Sequence, residues 1–224
     1  ITQQAVYGVD MSSIRTGGIV KNGIINQGQD CAARSAAVRL HQGGMVDTVG
    51  IDTCGFHSYA VLGQGNDTTV KNSTINTVSV PYDFKRSDLA AAVNLPSQLR
   101  ALVCGNTIDA GPAYGCIHVG NSYGNTVSNA SQVYGNICTT NSAVTNHHGI
   151  MAYFGGDVLI HDNTVTATPG QGIDASTHLD GVKIYKYSLS FPLDLLALPM
   201  GAKILSLQQQ TNNDGDPSSH GWTG

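Results

Sequence analysis

The sequence predicts an all-β solenoid, a tube of parallel strands wound coil upon coil, and three observations carry that expectation. Only 12% of the 224 residues are charged and 27 are glycine, whereas ordinary globular proteins carry about 25% charged residues and about 7% glycine. All 15 acidic residues are aspartate. A chain without glutamate lacks a leading helix former, and Asp and Asn prefer turns, so a helical bundle is excluded. The third and strongest observation is an internal repeat.

The first repeated series reads Val-x-x-Asn-x-(Ile/Val). It is plainest at Val103, Asn106 and Ile108, at Val133, Asn136 and Cys138, and at Ile160, Asn163 and Val165. Relaxing the Asn position adds Val20, Gly23 and Ile25, then Val46, Val49 and Ile51, then Val70, Ser73 and Ile75. The starts at 20, 46, 70, 103, 133 and 160 are spaced by 26, 24, 33, 30 and 27 residues. Near-constant circumference with variable loops produces such spacing. Period-two alternation turns the first and last residues of each copy inward. The Asn between them is expected at a bend, where stacked amides bond from coil to coil.

A second series interleaves with the first, each copy placing a small residue before an apolar-x-apolar triplet. Its starts are Val38, Val61, Val93, Ile117, Ile150 and Ile173, again six. Outward positions then align in columns: Arg39, Leu62, Asn94, His118, Met151 and Asp174, followed by His41, Gln64, Pro96, Gly120, Tyr153 and Ser176. Residues 81–91 break the rhythm and are expected as a projecting loop with a short helix capped by Asp88. Strand and helix compete over Ala92–Leu95, and the strand is favoured. Composition shifts after Gly181, dividing the chain into a β-helix at 1–181 and an appendage at 182–224.

Several classes of partner are excluded. With 11 Lys and Arg and a net charge of -4, no basic face matches a nucleic acid backbone. No apolar run reaches the roughly 18–20 residues needed to span a bilayer, so no membrane insertion is expected. The opening residues lack the n-region and h-region of a secretion signal, so a processed or excerpted chain is expected. Cys31, Cys54, Cys104, Cys116 and Cys138 are odd in number, widely spaced and without a C-x-x-C pair; buried free thiols are expected. Gly120-Asn-Ser122-Tyr-Gly124 satisfies a nucleophile pattern but lacks a following helix, and is accidental. His147 and His148 are expected on a loop rim.

The interleaved series resemble the right-handed parallel β-helix proteins, the architecture of pectate-lyase-like enzymes and phage tailspikes, over residues 18–181. That resemblance implies a right-handed single-stranded parallel β-helix of about six coils with a short C-terminal β appendage. Lys183–Tyr187 and Pro199–Gln209 are similar to a small phage-encoded family of unknown role. That family's closing apolar strand is missing here, so an incomplete appendage is expected. Tailspike resemblance further implies a trimer. Independently of it, open strand edges at both ends of the stack predict oligomerisation or a place in a larger assembly.

Outward polar residues on a long shallow face suit a polyhydroxylated ligand. The candidate substrate-binding residues are Arg39, His41, Gln64, Asn94, Tyr134, Tyr153 and His161; the candidate catalytic residues are Asp174, Asp162 and His118. Glycoside hydrolysis wants two carboxyl groups, about 5–5.5 Å apart for retention or 6.5–9.5 Å for inversion, and here both must be aspartates. A lyase wants a base and a cation, with Arg39, His118 or Lys71 available. No dense aspartate motif appears, so no metal site and no cofactor is expected, Ca²⁺ entering only if the chain is a lyase. The leading expectation is a virion-associated or secreted β-helix, extracellular or on a phage tail, that recognises a cell-surface polysaccharide, with cleavage left open. The alternatives are a secreted polysaccharide lyase or glycoside hydrolase unrelated to phage, and a non-catalytic structural virion module.

Overall fold

A computed structural model describes residues 7–11, 13, 16–27, 36–54, 59–78, 91–96, 99–111, 115–120, 130–141, 148–153, 158–167, 172–174, 183–185 and 188–189. Among these residues there is no helix, and strands stack in parallel as a β-solenoid. One ladder is seven-stranded: Tyr7–Asp10, Ala36–Leu40, Tyr59–Gly63, Ala91–Pro96, Gly115–Gly120, Ile150–Tyr153 and Ile173–Asp174. The second sheet is 12-stranded. Its long strands Ile19–Gln27 and Met45–Cys54 pair along their whole length. In later coils this sheet divides at a corner into a second ladder, such as Leu102–Cys104 and Gln132–Tyr134, and a third, such as Thr107–Asp109 and Ile137–Thr140.

Register follows the repeat. Val38, Val61, Val93, Ile117, Ile150 and Ile173 are successive partners in the first ladder, and Val9 joins them ahead of the expected first coil. Val20, Val46, Val70, Val103, Val133 and Ile160 align in the second, and Ile25, Ile51, Ile75, Ile108, Cys138 and Val165 in the third. Pairing also passes Gly181: Ile184 aligns with Ile160 and Leu189 with Val165, keeping the repeat's spacing. Turns described through their strands and inner corners number about four, against the six expected. The remaining coils add strands to the ladders while parts of their connections lie outside the described residues. Residues 81–90, with Asp88, also lie outside them, as does the chain after Leu189. Ala91–Pro96 is a strand, as favoured.

The inward columns form one apolar interior, with Val46, Val70, Val103, Val133 and Ile160 fully buried. The small residues of the second series have a packing reason. Cys116 and Ile117 both donate their backbone N–H to the Gly149 carbonyl, and both side chains lie in the core. The residue before each triplet therefore faces the third ladder at close range. At Gly149 a methyl group would collide with Val165 Cγ1 and stand 2.6 Å from the Gly172 carbonyl oxygen. Cys116 occupies the same place one coil earlier, its thiol 3.3 Å from the Thr139 carbonyl oxygen. Cys104, Cys116 and Cys138 are buried free thiols, while the side chains of Cys31 and Cys54 are outside the described residues.

The corner between the second and third ladders turns on a column of left-handed residues: Asn22 (φ 55°), Thr48 (57°), Asn72 (52°), Gly105 (65°), Gly135 (63°) and Asp162 (52°). Gly, Asn and Asp tolerate this conformation best. The turn lifts the next backbone N–H out of the strand ladder, and the expected Asn stack meets it. Asn136 Oδ1 accepts from Asn106 N at 3.1 Å and from Asn106 Nδ2 at 2.9 Å. Asn163 Oδ1 accepts from Asn136 N and Nδ2 at 3.0 and 2.9 Å. Each amide also donates to a carbonyl one coil back, Asn136 Nδ2 to Val103 O at 3.0 Å and Asn163 Nδ2 to Val133 O at 2.9 Å. All three Asn side chains are 1% exposed.

Replacing Asn136 by Ala orphans groups in both neighbouring coils, so Asn136→Ala is expected to cost about 2–4 kcal/mol. Urea denaturation of the variant checks this; an unchanged midpoint would remove the ladder's structural role. Gly149→Ala is expected to cost about 1–3 kcal/mol through overpacking, read by the same melts.

Candidate functional site

The outer column of the first ladder is in register as expected: Asp10, Arg39, Leu62, Asn94, His118, Met151 and Asp174 are successive partners. Its exposure is not as expected. Among the column's described side chains, the polar groups presented to solvent belong to the first coils. Arg39 Nε donates to Gln64 Oε1 at 2.8 Å, and Nη2 converges on the same oxygen. Arg39 Nη1 lies 3.9 Å from Asp10 Oδ2, with the Arg39 side chain 23% exposed. The guanidinium is thus held between a carboxylate and an amide.

Further along, the column sinks. Asn94 is 5% exposed, His118 1% and Met151 fully buried, so Asn94 and His118 are not on the solvent-facing surface expected of them. His118 Nδ1 lies 2.8 Å from Asn94 Oδ1, so Nδ1 carries the proton and donates to the amide oxygen. Burial depresses the His118 pKa from 6.5 to about 4, because desolvation disfavours the imidazolium. Asn94 and His118 are therefore a buried hydrogen-bonded pair outside the tube. Period-two alternation told which way they point, but it carries no information on what lies over them.

His41 is half-buried, and its Nδ1 is enclosed without a hydrogen-bond partner. Tyr153 pairs with Gly120 and Asp174 with Met151, while their side chains, and all of Ser176, lie outside the described residues. His148 is 4% exposed and so is not on a rim; it immediately precedes the close-packed Gly149. His147 and the run after Gly120 are outside the described residues.

The outer column of the second ladder runs Lys21, Asp47, Lys71, Cys104, Tyr134 and His161. Asp47 accepts from Asn72 Nδ2 at 3.2 Å and from Thr48 Oγ1 at 3.0 Å, with Lys71 Nζ at 3.5 Å. Against desolvation, which pushes it up, these donors hold the Asp47 carboxyl below its ordinary value. Tyr134 and His161 stack on each other with ring centroids 4.9 Å apart and planes within 10°. In-register stacking spends one face of each ring on its neighbour. His161 Nδ1 meets Asp162 Oδ2 at 2.8 Å. Asp162 sits in the left-handed column of corners. His118 and Asp174 share the first ladder, whereas Asp162 stands at the bend between Leu159–His161 and Thr164–Ala167 of the other sheet. The three candidate catalytic residues therefore do not lie on one sheet.

Two further features escaped the sequence. Arg100 forks onto Asp67 at 2.6 and 2.8 Å, and this holds the Asp67 carboxyl below its ordinary value. The third ladder exposes Thr74, Thr107, Ile137 and Thr164 in register. The recurring Thr after Asn106 and Asn163 was the available signal. Among the described residues no group of three or more His, Cys, Asp or Glu is placed to hold a metal ion, and no helix is long and apolar enough to cross a membrane. No protein-family model, curated protein or solved structure matches the chain.

The buried His118 sets a pH dependence. The unfolded chain binds this proton near pH 6.5 and the folded chain only near 4, so stability is full above pH 6.5 and is lost as pH falls toward 4. The loss is expected to reach about 3 kcal/mol. Comparing urea melts of the wild type and His118→Gln at pH 7 and 4.5 isolates it; parallel pH slopes would show that His118 titrates normally.

Proposed function

We propose that this chain recognises a polysaccharide along the outer face of its first ladder, as a secreted or virion-borne β-helix resembling tailspikes and pectate-lyase-like proteins. The observation that carries the reading is the Arg39 fork fixed between Asp10 and Gln64 at the solvent-facing part of an in-register column. A planar donor array beside acceptors of both kinds suits vicinal hydroxyls or a sugar carboxylate. A straight solenoid repeats its groups along an axis, as a polysaccharide repeats its own. The ligand is a glycan of a cell surface, and neighbouring chains or domains cover the ends of the stack.

Recognition has more support than cleavage. His118 is buried and neutral, and Asp162 is engaged with His161 at a corner. Hydrolysis would need a second carboxyl group about 5–9.5 Å from Asp174.

Immobilised polysaccharides of varied charge are expected to capture the chain. Arg39→Ala is expected to weaken binding by about tenfold, or about 1.4 kcal/mol, with its thermal midpoint retained. Release of reducing ends or unsaturated products, with Asp174→Asn and His118→Ala as controls, separates depolymerase from adhesin. Capture of no glycan, or capture indifferent to Arg39, would leave the structural virion module as the better reading.

A further inference from the structure

The residue before each first-ladder triplet faces the third-ladder residue that comes next in the chain, and the contact recurs along the stack. A Cβ on Gly8 would stand 3.4 Å from Ile25 Cγ2, and one on Gly149 would meet Val165 Cγ1. Cys116 holds the place of Gly149 one coil earlier, since Ile117 pairs with Ile150. Cys138 holds the place of Val165 one coil earlier. The side chain facing Cys116 across the tube is therefore Cys138.

The contacts of the sulfur agree. Cys116 Sγ lies 3.3 Å from the Thr139 carbonyl oxygen and 4.0 Å from that of Ile108. Thr139 follows Cys138, and Ile108 is the ladder partner of Cys138, so the thiol rests against the strand pair that carries Cys138. Both cysteines belong to the apolar interior. Burial first, and a side-chain interaction with Cys138 second, push the Cys116 thiol well above its ordinary range. The two columns single out this pair. Ala92 is followed by Ile108 and Gly149 by Val165, and among the described coils only Cys116 gives the small position a γ atom, while only Cys138 replaces the aliphatic residue opposite.

We propose that Cys116 and Cys138 are joined by a disulfide when the chain folds in an oxidising environment, a covalent bond across the tube from the first ladder to the third. The oxidant is a small-molecule disulfide. One cysteine, as thiolate, attacks it, forming a mixed disulfide and releasing one small thiolate. The other cysteine, as thiolate, then attacks the protein-bound sulfur; the Cys116–Cys138 bond forms and the second small thiolate leaves. Two protons pass from the cysteines to the released thiolates, and the oxidant takes up two electrons. Thiols buried in apolar surroundings are inert, so the exchange precedes closure of the core and native packing selects the pair. Cys104 is nearer to Cys116 in sequence, but it stands in the outer column of the second ladder beside Tyr134.

The test refolds the full-length chain from urea in mixed reduced and oxidised glutathione, alkylates the remaining thiols in fresh urea, and maps linked peptides by mass. The Cys116–Cys138 link is expected to outnumber every other cysteine pair by at least about tenfold, a preference of about 1.4 kcal/mol. In a chain kept in urea throughout, Cys104–Cys116 closes the shorter loop and is expected to form at least as often. The native link is expected to lower the unfolding equilibrium constant about a hundredfold relative to the reduced chain. Cys116→Ala and Cys138→Val supply residue types that neighbouring coils carry at these places, so both are expected to fold and to leave the remaining cysteine unlinked. Alkylation of both Cys116 and Cys138 after refolding, or a predominance of Cys104–Cys116, would overturn the proposal.

Discussion

The fold depends on satisfying buried backbone groups at the corner where each coil turns from the second ladder to the third. Parallel ladders satisfy the straight segments by themselves, but a left-handed residue removes the following N–H from its strand partner. An unpaired buried N–H costs about 1–3 kcal/mol, and the corner recurs in every coil. Asn solves this because one amide supplies both an acceptor for a neighbouring N–H and a donor for a carbonyl. Asn106, Asn136 and Asn163 do this at 1% exposure, while Ser73 and Val49 mark the ladder's fading toward the first coils.

Once the corner is fixed, the interior follows. Val and Ile stack on one another in inward columns, with Cys138 in the third, and the third ladder approaches the start of the first closely enough that Ala, Cys or Gly must stand there. Cys116 illustrates how tight the fit is: burial pushes its thiol well above the ordinary range, and neighbouring Cys138 adds to the shift. Small residues before each triplet and the Asn before the third-ladder strands at Thr107, Ile137 and Thr164 are two consequences of one cross-section.

The outer surfaces obey weaker rules. Stacking aligns like positions into columns, which can neutralise groups, as in the Lys71–Asp47 pair, or consume ring faces, as in Tyr134 and His161. Polar columns on a solenoid are therefore partly self-satisfied. Arg39, fixed between Asp10 and Gln64, is one more group ordered by its column.

Period, register and inward residues were legible in the sequence because identical cross-sections require identical residue types at fixed spacing. Asn106, Asn136 and Asn163 announced their ladder, and Val103, Val133 and Ile160 their column, before any coordinates. The outer face was legible only in direction. That His118 and Asn94 are buried, that His148 is enclosed beside Gly149, and that Val9 and Ile184 extend the stack were decided by tertiary structure. Exposure depends on what other segments cover, and strand propagation depends on the edge a new segment meets. Neither leaves a periodic mark on the segment itself.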